Sequence, residues 1–312
     1  VNAEAMIWLT WRQHRWAIAV MSVVALLSAL GLASAETGGV QTGMPLAAFY
    51  SLIVQLGFGA LVGAFWGAPL LARELEERTY FVAWGQDVTP ARWLRGKLAV
   101  LGLAAAVLGA LVGSGDGLSG DGDRSWSMFE AHWAVQAGYA VLGLATGVLA
   151  GLLTRHTVTA MAATLVAYTL VRVVLATFAR DHYLPVHRSI ARWDQTTVVP
   201  ADALKITDGF VGNDLEPVGV TARCAEFPLP HSCMRSTKAA AGTFADFQPV
   251  DRILAFRFIE FGICVVLAAL TLYLTFRLLR RGGGWRPSRS HRRDVSSAPQ
   301  STPAVAAAQA EG

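Results

Sequence analysis

The sequence predicts an all-α integral membrane protein with six transmembrane helices. Two features of composition and one of charge placement predict it. Only 15% of the 312 residues are charged and 54% are hydrophobic, whereas soluble domains carry about 25% charged residues. Long apolar runs recur along the chain, on the scale of the ~20 residues a helix needs to cross ~30 Å of hydrocarbon. Arginine and lysine concentrate in alternate connections between the runs, the pattern of a multi-pass chain. The net charge of +4 does not point to nucleic acid, because the basic residues are spread along the chain.

The first span is read at Trp16–Ala35. A signal peptide competes for it, since Arg12 and Arg15 precede it and "ASA" (Ala33–Ala35) resembles a cleavage site. The apolar run exceeds the ~7–15 residues of a signal core, which favours an anchor. Two readings of the start stay open: Val1 as a literally translated alternative start codon, or Met6, which opens "MIWLTWRQHR". The second span is Ala47–Ala72, and the third, Leu98–Gly113, is short. It either begins nearer Trp93 or sits where the bilayer is thinned. The fourth, His132–Leu153, and the fifth, Thr157–Ala179, are divided only by "TRH", a tight helical hairpin. The sixth is Ile253–Phe276.

Charge then sets the orientation. With the N-terminus in the cytosol, the inner segments hold Arg12 and Arg15, then Arg73, Arg78, Arg92, Arg95 and Lys97, then Arg155, then the tail from Arg277 to Arg293. The two short outer loops together hold only Arg124. Both termini are therefore expected in the cytosol, with a transmembrane domain over 16–279 and a tail, 280–312, that is basic and then disordered. Residues 180–251 form a large extracytosolic loop, long enough for a folded cap.

That loop holds Cys224 and Cys233, nine positions apart, and a disulfide is expected between them. A metal site using His231 with His182 or His187 matches no standard spacing, so none is expected. Gly59, Gly63 and Gly67 in span two, and Gly143, Gly147 and Gly151 in span four, recur every fourth residue. Each set lines one helix face where backbones can approach closely, either within the chain or across a dimer interface. Three ionisable residues fall inside spans: Arg172 in span five, Arg257 and Glu260 in span six. Arg172 lies seven residues from its outer end and Glu260 nine from its own, so both sit at about the same depth on adjacent antiparallel helices. A pair is expected, with Arg257 snorkelling or sharing the carboxylate.

Between spans two and three, "RELEERTYFVAWGQDVTPARWLRGK" (73–97) is charged and aromatic. Arg73, Glu74, Glu76, Glu77 and Arg78 form a charged helical run, Tyr80 to Trp84 follow, and Gly85 breaks it. Thr89 is placed to cap a second helix with Pro90 at its first position. This helix-turn-helix suits docking to a soluble partner or lying in the interface. "RGKL" is not a Walker A, because Leu follows the Lys and Ala91 stands where its first Gly belongs. HExxH and GxSxG are also absent.

The stretch Pro69–Leu98 resembles the first cytosolic loop of actinobacterial permeases of the type-2 ABC exporter family, in its acidic "REL-E" run and its "AW-Q-V---RW---KL". "WLTWRQHR" (8–15) is similar to that family's N-terminal segment. "FQPVDRILAFRFIEFGI" (247–263) is similar to the opening of its last span, and "HYLP" (182–185) to the residues after span five. Arg78 departs from a usual Gly. The resemblance implies a permease that binds no cofactor itself and pairs with a separate ATP-binding subunit carrying ATP and Mg²⁺. It also implies two permease copies in a bacterial plasma membrane. The 73–97 segment would be the coupling element, with Arg73, Glu74, Glu76, Glu77, Arg78 and Trp84 against the ATPase. Residues 1–15 would lie along the inner surface as an interfacial helix. An amphipathic or lipid-like cargo, such as an antibiotic, suits the apolar spans. The alternatives are a membrane sensor or immunity protein that binds a ligand through the Cys224–Cys233 loop, and a membrane enzyme acting on lipid.

Overall fold

A computed structural model of the chain describes residues 3–37, 46–77, 89–114, 126–195, 199–226 and 230–281. Arg78, Trp84 and the C-terminal tail from residue 282 lie outside the described residues. Six helices are long and apolar enough to cross a membrane. Helix α1 (Ala3–Thr37) carries the first span. Span two is α2 (Leu46–Val62), a π-helical turn (Gly63–Gly67) and α3 (Ala68–Glu76) in succession. Span three is α4 (Pro90–Val112) and span four α5 (Trp133–Thr154). Span five is α6 (Thr157–Val174), extended by a π-helical turn (Leu175–Ala179) and a 3₁₀ turn (Arg180–His182). Span six is α9 (Ile253–Arg281).

Two boundaries differ from the sequence reading. Residues 3–15 are not a separate helix: they continue into the first span without a break. The third span is longer than Leu98–Gly113: the helix begins at Pro90, just before Trp93, and takes in the basic segment. Thr89 caps the helix, its hydroxyl accepting from the Arg92 N–H, and Pro90 opens it at a position needing no N–H donor. Arg92, Arg95 and Lys97 thus lie in the first two turns of a 23-residue span. The hairpin between spans four and five turns at Arg155, which adopts φ 60°.

Span four is the axis of the bundle. It packs against spans two, three, five and six, and 72% of its apolar window is buried. Its small residues make this physically workable. A side-chain carbon added at Gly63 would lie 2.5 Å from the Gly143 carbonyl oxygen, and one at Gly67 the same distance from that of Leu144. Gly143, Gly147 and Gly151 in turn face Gly59, Gly63 and Ala68. The two glycine faces therefore close on each other within one chain, leaving neither free for a dimer interface. Leu103, Val158, Val166 and Leu170 are turned outward, as lipid contact requires.

The all-α expectation needs one amendment. Between spans five and six lies a four-stranded antiparallel sheet. Its strands are β1 (His187–Arg192), β2 (Leu204–Val211), β3 (Pro217–Val218) and β4 (Gly242–Gln248), ordered β1-β4-β2-β3. Two short helices, α7 (Ala222–Ala225) and α8 (Pro230–Ser236), are joined by the Cys224–Cys233 disulfide. Both cysteines are buried with Phe210, Met234 and Ala240. In β1 and β4, Arg188 grips Asp246 through two hydrogen bonds of 2.7 and 2.8 Å. That charge-assisted fork holds the Arg188 pKa above its usual value.

Candidate functional site

The polar side chains gather at the two ends of the bundle. At the end bearing the sheet, four charges from two spans and one short turn meet in a cluster. Glu260 of span six is fully buried. Arg180 donates to both of its oxygens, at 3.1 and 3.0 Å. The Tyr139 hydroxyl donates to Oε1 and that of Tyr183 to Oε2 at 3.3 Å. These donors use the acceptor capacity of one carboxylate. Arg180 also reaches Glu130, at 3.3 Å.

Arg172 belongs chiefly with Glu130. Its Nη2 donates to Glu130 at 2.6 Å, whereas its Nη1 stands 4.0 Å from Glu260. Its guanidinium also stacks over the Tyr139 ring at 3.5 Å. Two arginines and two carboxylates leave the cluster with no net charge, the condition under which ionised groups persist at such depth. Arg257 donates to the Met128 carbonyl at 2.9 Å. The sequence reading brings Arg172 and Glu260 to one depth but omits Glu130, Arg180, Tyr139 and Tyr183. Glu130 sits on a 3₁₀ turn (Trp126–Ala131) just before span four, and Arg180 just past the apolar run of span five.

The second π-helical turn explains how Arg172 and Arg180 reach one cluster. Eight residues of a regular α-helix leave side chains about 80° apart around the axis. An i→i+5 turn inserts about one extra residue and brings that offset down to about 20°. A hydrogen-bonded seam ties the cluster to the base of the sheet. Gln248, at the end of β4, donates to the Leu184 and Pro185 carbonyls, and Arg252 donates to Pro185 as well. "HYLP" and "FQPVDR", far apart in sequence, thus meet in space. The His132 ring accepts the Ala134 N–H at the start of span four.

At the opposite end the arrangement is open. Arg73 and Glu77 pair one turn apart on α3 at 2.8 Å, with side chains 70% and 50% exposed. Glu74 turns inward to Lys97 of span three, at 3.5 Å, and the Lys97 ammonium lies 4.1 Å from the centre of the Trp93 ring. Glu76 reaches across to span five, accepting from the Thr157 N–H at 2.9 Å and its hydroxyl at 2.8 Å. It thereby satisfies a backbone donor at a helix N-terminus. A cavity of about 1020 Å³ lined by Gln13, His14, Trp66, Glu74, Glu77 and Lys97, among others, opens beside them. The three glutamates thus have three different destinations: span three, span five and solvent. Among the described residues, no group of three or more His, Cys, Asp or Glu is placed to hold a metal ion.

Residues 35–180 match the family model described as ABC-2 membrane transporter related. The match takes in the whole of spans two, three and four, and span five as far as Arg180. No curated protein and no solved structure matches the chain.

Proposed function

We propose that the chain is the membrane-spanning permease subunit of an ATP-driven exporter of the ABC-2 kind. In this reading a separate ATP-binding subunit supplies the energy, holding ATP and Mg²⁺, and two permease copies assemble with two such subunits. The observation that carries the reading is the family match over residues 35–180. It spans the charged segment 73–97, and permeases of that kind are typically non-catalytic.

The geometry offers a way for such a segment to act. Glu74–Lys97 joins the ends of spans two and three, and Glu76–Thr157 joins the end of span two to the start of span five. A push on the connection between Glu77 and Thr89 would reach three spans together. The Arg73–Glu77 pair is the part of the set turned to solvent and is the natural contact for a partner. In this reading both termini face the cytosol, the sheet lies outside, and the disulfide stands in an oxidising compartment. The apolar spans suit an amphipathic or lipid-like cargo.

The test is coexpression with a candidate ATP-binding subunit, purification in lipid, and measurement of ATP turnover against a panel of amphipathic compounds. A stable complex with compound-stimulated turnover is expected. Binding of a ligand to the sheet domain with no ATPase association would favour a sensor instead.

A further inference from the structure

At the end of the bundle opposite the sheet, spans three and six frame a groove of about 470 Å³ that the charged cluster above does not use. Its lining is Arg95 of span three and Tyr273, Phe276, Arg277, Arg280 and Arg281 of span six. Four arginines therefore line one space, and among the described residues no carboxylate lines it. Leu279 and Leu94, in the same apolar cluster, are buried beneath, so the two helices that carry the arginines are packed together.

We propose that this groove binds an anionic phospholipid, its phosphate among Arg95, Arg277, Arg280 and Arg281 and an acyl chain along Tyr273 and Phe276. Depth separates a lipid from other anions. Tyr273 lies eight residues before Arg281, about 12 Å along the helix, and its side chain is 65% exposed. The groove thus runs from a cationic mouth into the apolar belt, where Leu270 and Leu274 are also exposed. A free phosphate would occupy only the mouth, and an acidic protein surface would not follow the wall inward. A phospholipid alone carries negative charge at one end and hydrocarbon over the next ~12 Å. Arginine suits the task because its fork matches phosphate oxygens and its stem covers apolar surface. The assignment does not depend on which side of the membrane this end occupies.

Native mass spectrometry of the delipidated full chain in detergent, titrated with phosphatidylglycerol or phosphatidylcholine, tests it. The wild type should retain phosphatidylglycerol in clear preference. Near-surface arginines are each worth about fivefold in binding, so Arg277→Gln with Arg280→Gln should weaken it about 30-fold. Tyr273→Ala, which leaves every charge in place, should weaken it without altering the mouth. Thermal melting in phosphatidylcholine micelles should match for all variants, separating lost binding from lost folding. Competition by soluble glycerol phosphate at the affinity of the lipid would overturn the proposal in favour of a free phosphate ligand. Equal retention of the two lipids would overturn it outright. So would an unchanged lipid affinity in the arginine variant, and if that variant also lost an acidic partner protein, the groove would be a protein contact.

Discussion

The two ends of the bundle use the same residue types to opposite ends. Near the sheet, Glu130, Arg172, Arg180 and Glu260 pair with one another mostly out of water, Glu260 being fully buried and the Glu130 side chain 22% exposed. At the other end, Arg73, Glu74, Glu76, Glu77 and Lys97 are divided among two neighbouring helices and solvent. Burial decides the difference. A carboxylate in low dielectric must have every lone pair met, so the first set is a closed lock joining spans four, five and six. A half-exposed carboxylate loses little if its partner leaves, so Glu76 and Glu77, 45% and 50% exposed, can exchange an internal contact for an external one, whereas Glu74 stays with the buried Lys97.

Removing one charge from the lock should produce the largest effect. Glu260→Gln leaves Arg180 facing a neutral amide and should destabilise the chain by about 3–5 kcal/mol, read as melting in detergent. The identity of the rescuing partner sharpens the test. Arg180 donates twice to Glu260, while Arg172 sits 4.0 Å away and is bound to Glu130. Arg180→Gln should therefore recover more of the Glu260→Gln loss than Arg172→Gln does. Equal rescue by the two would show that the cluster behaves as a diffuse charge rather than as two pairs bridged by Arg180.

The sheet beside the lock allows a smaller disruption at the same end. Cys224→Ser with Cys233→Ser removes a short closure worth roughly 2–3 kcal/mol by loop entropy. The loss should fall on the sheet domain, seen as faster amide exchange over Leu204–Val211, with the spans unchanged. Exchange that rises equally in span six would mean the lock depends on the sheet, contrary to the separation drawn between them.

How much of this was legible in the sequence follows from the same physics. The six spans are readable because lipid imposes a length and a composition on any helix that crosses it, and Thr89-Pro90 marks a helix start by local chemistry alone. The glycine faces are readable as close-packing surfaces, but their partner is not, since either a second copy or another span of the same chain satisfies the spacing. Glu130 and Arg180 escape because they lie just beyond the apolar runs, where a charge reads as an ordinary loop residue. The π-helical turn that aligns Arg172 with Arg180 has no compositional mark, "LATFA" being an unremarkable apolar run. The sheet is hidden for a related reason. "HRSIAR" of β1 lacks a clear alternation, and in "GTFADFQ" of β4, the strand buried between neighbours, the two phenylalanines stand three apart, so no period of two marks it.

At the open end the effects are smaller and local. Glu76→Ala takes the acceptor from the Thr157 N–H and should raise amide exchange in the first turn of span five. The global melting transition should barely move, because the group is half-exposed and the rest of span five is unaffected. A large drop in melting would place Glu76 with the lock instead of with the exchangeable set.

Glu77→Ala should have the smallest effect on the chain alone. Its partner Arg73 is one turn away and 70% exposed, and such pairs contribute about 0.3–0.5 kcal/mol. For that reason it is the cleanest probe of the coupling proposal. Glu74 and Glu76 cannot be altered without also loosening span three or span five, so a triple alanine variant would confuse damage to the bundle with loss of a partner. Glu77→Ala should melt like the wild type and keep the Glu74–Lys97 and Glu76–Thr157 contacts. If the Arg73–Glu77 pair meets an ATP-binding subunit, the variant should nevertheless lose affinity for that subunit, and Glu77→Gln should restore less of it than Glu77→Asp. An unaltered complex would move the contact away from α3, leaving the connection between Glu77 and Thr89 to carry it.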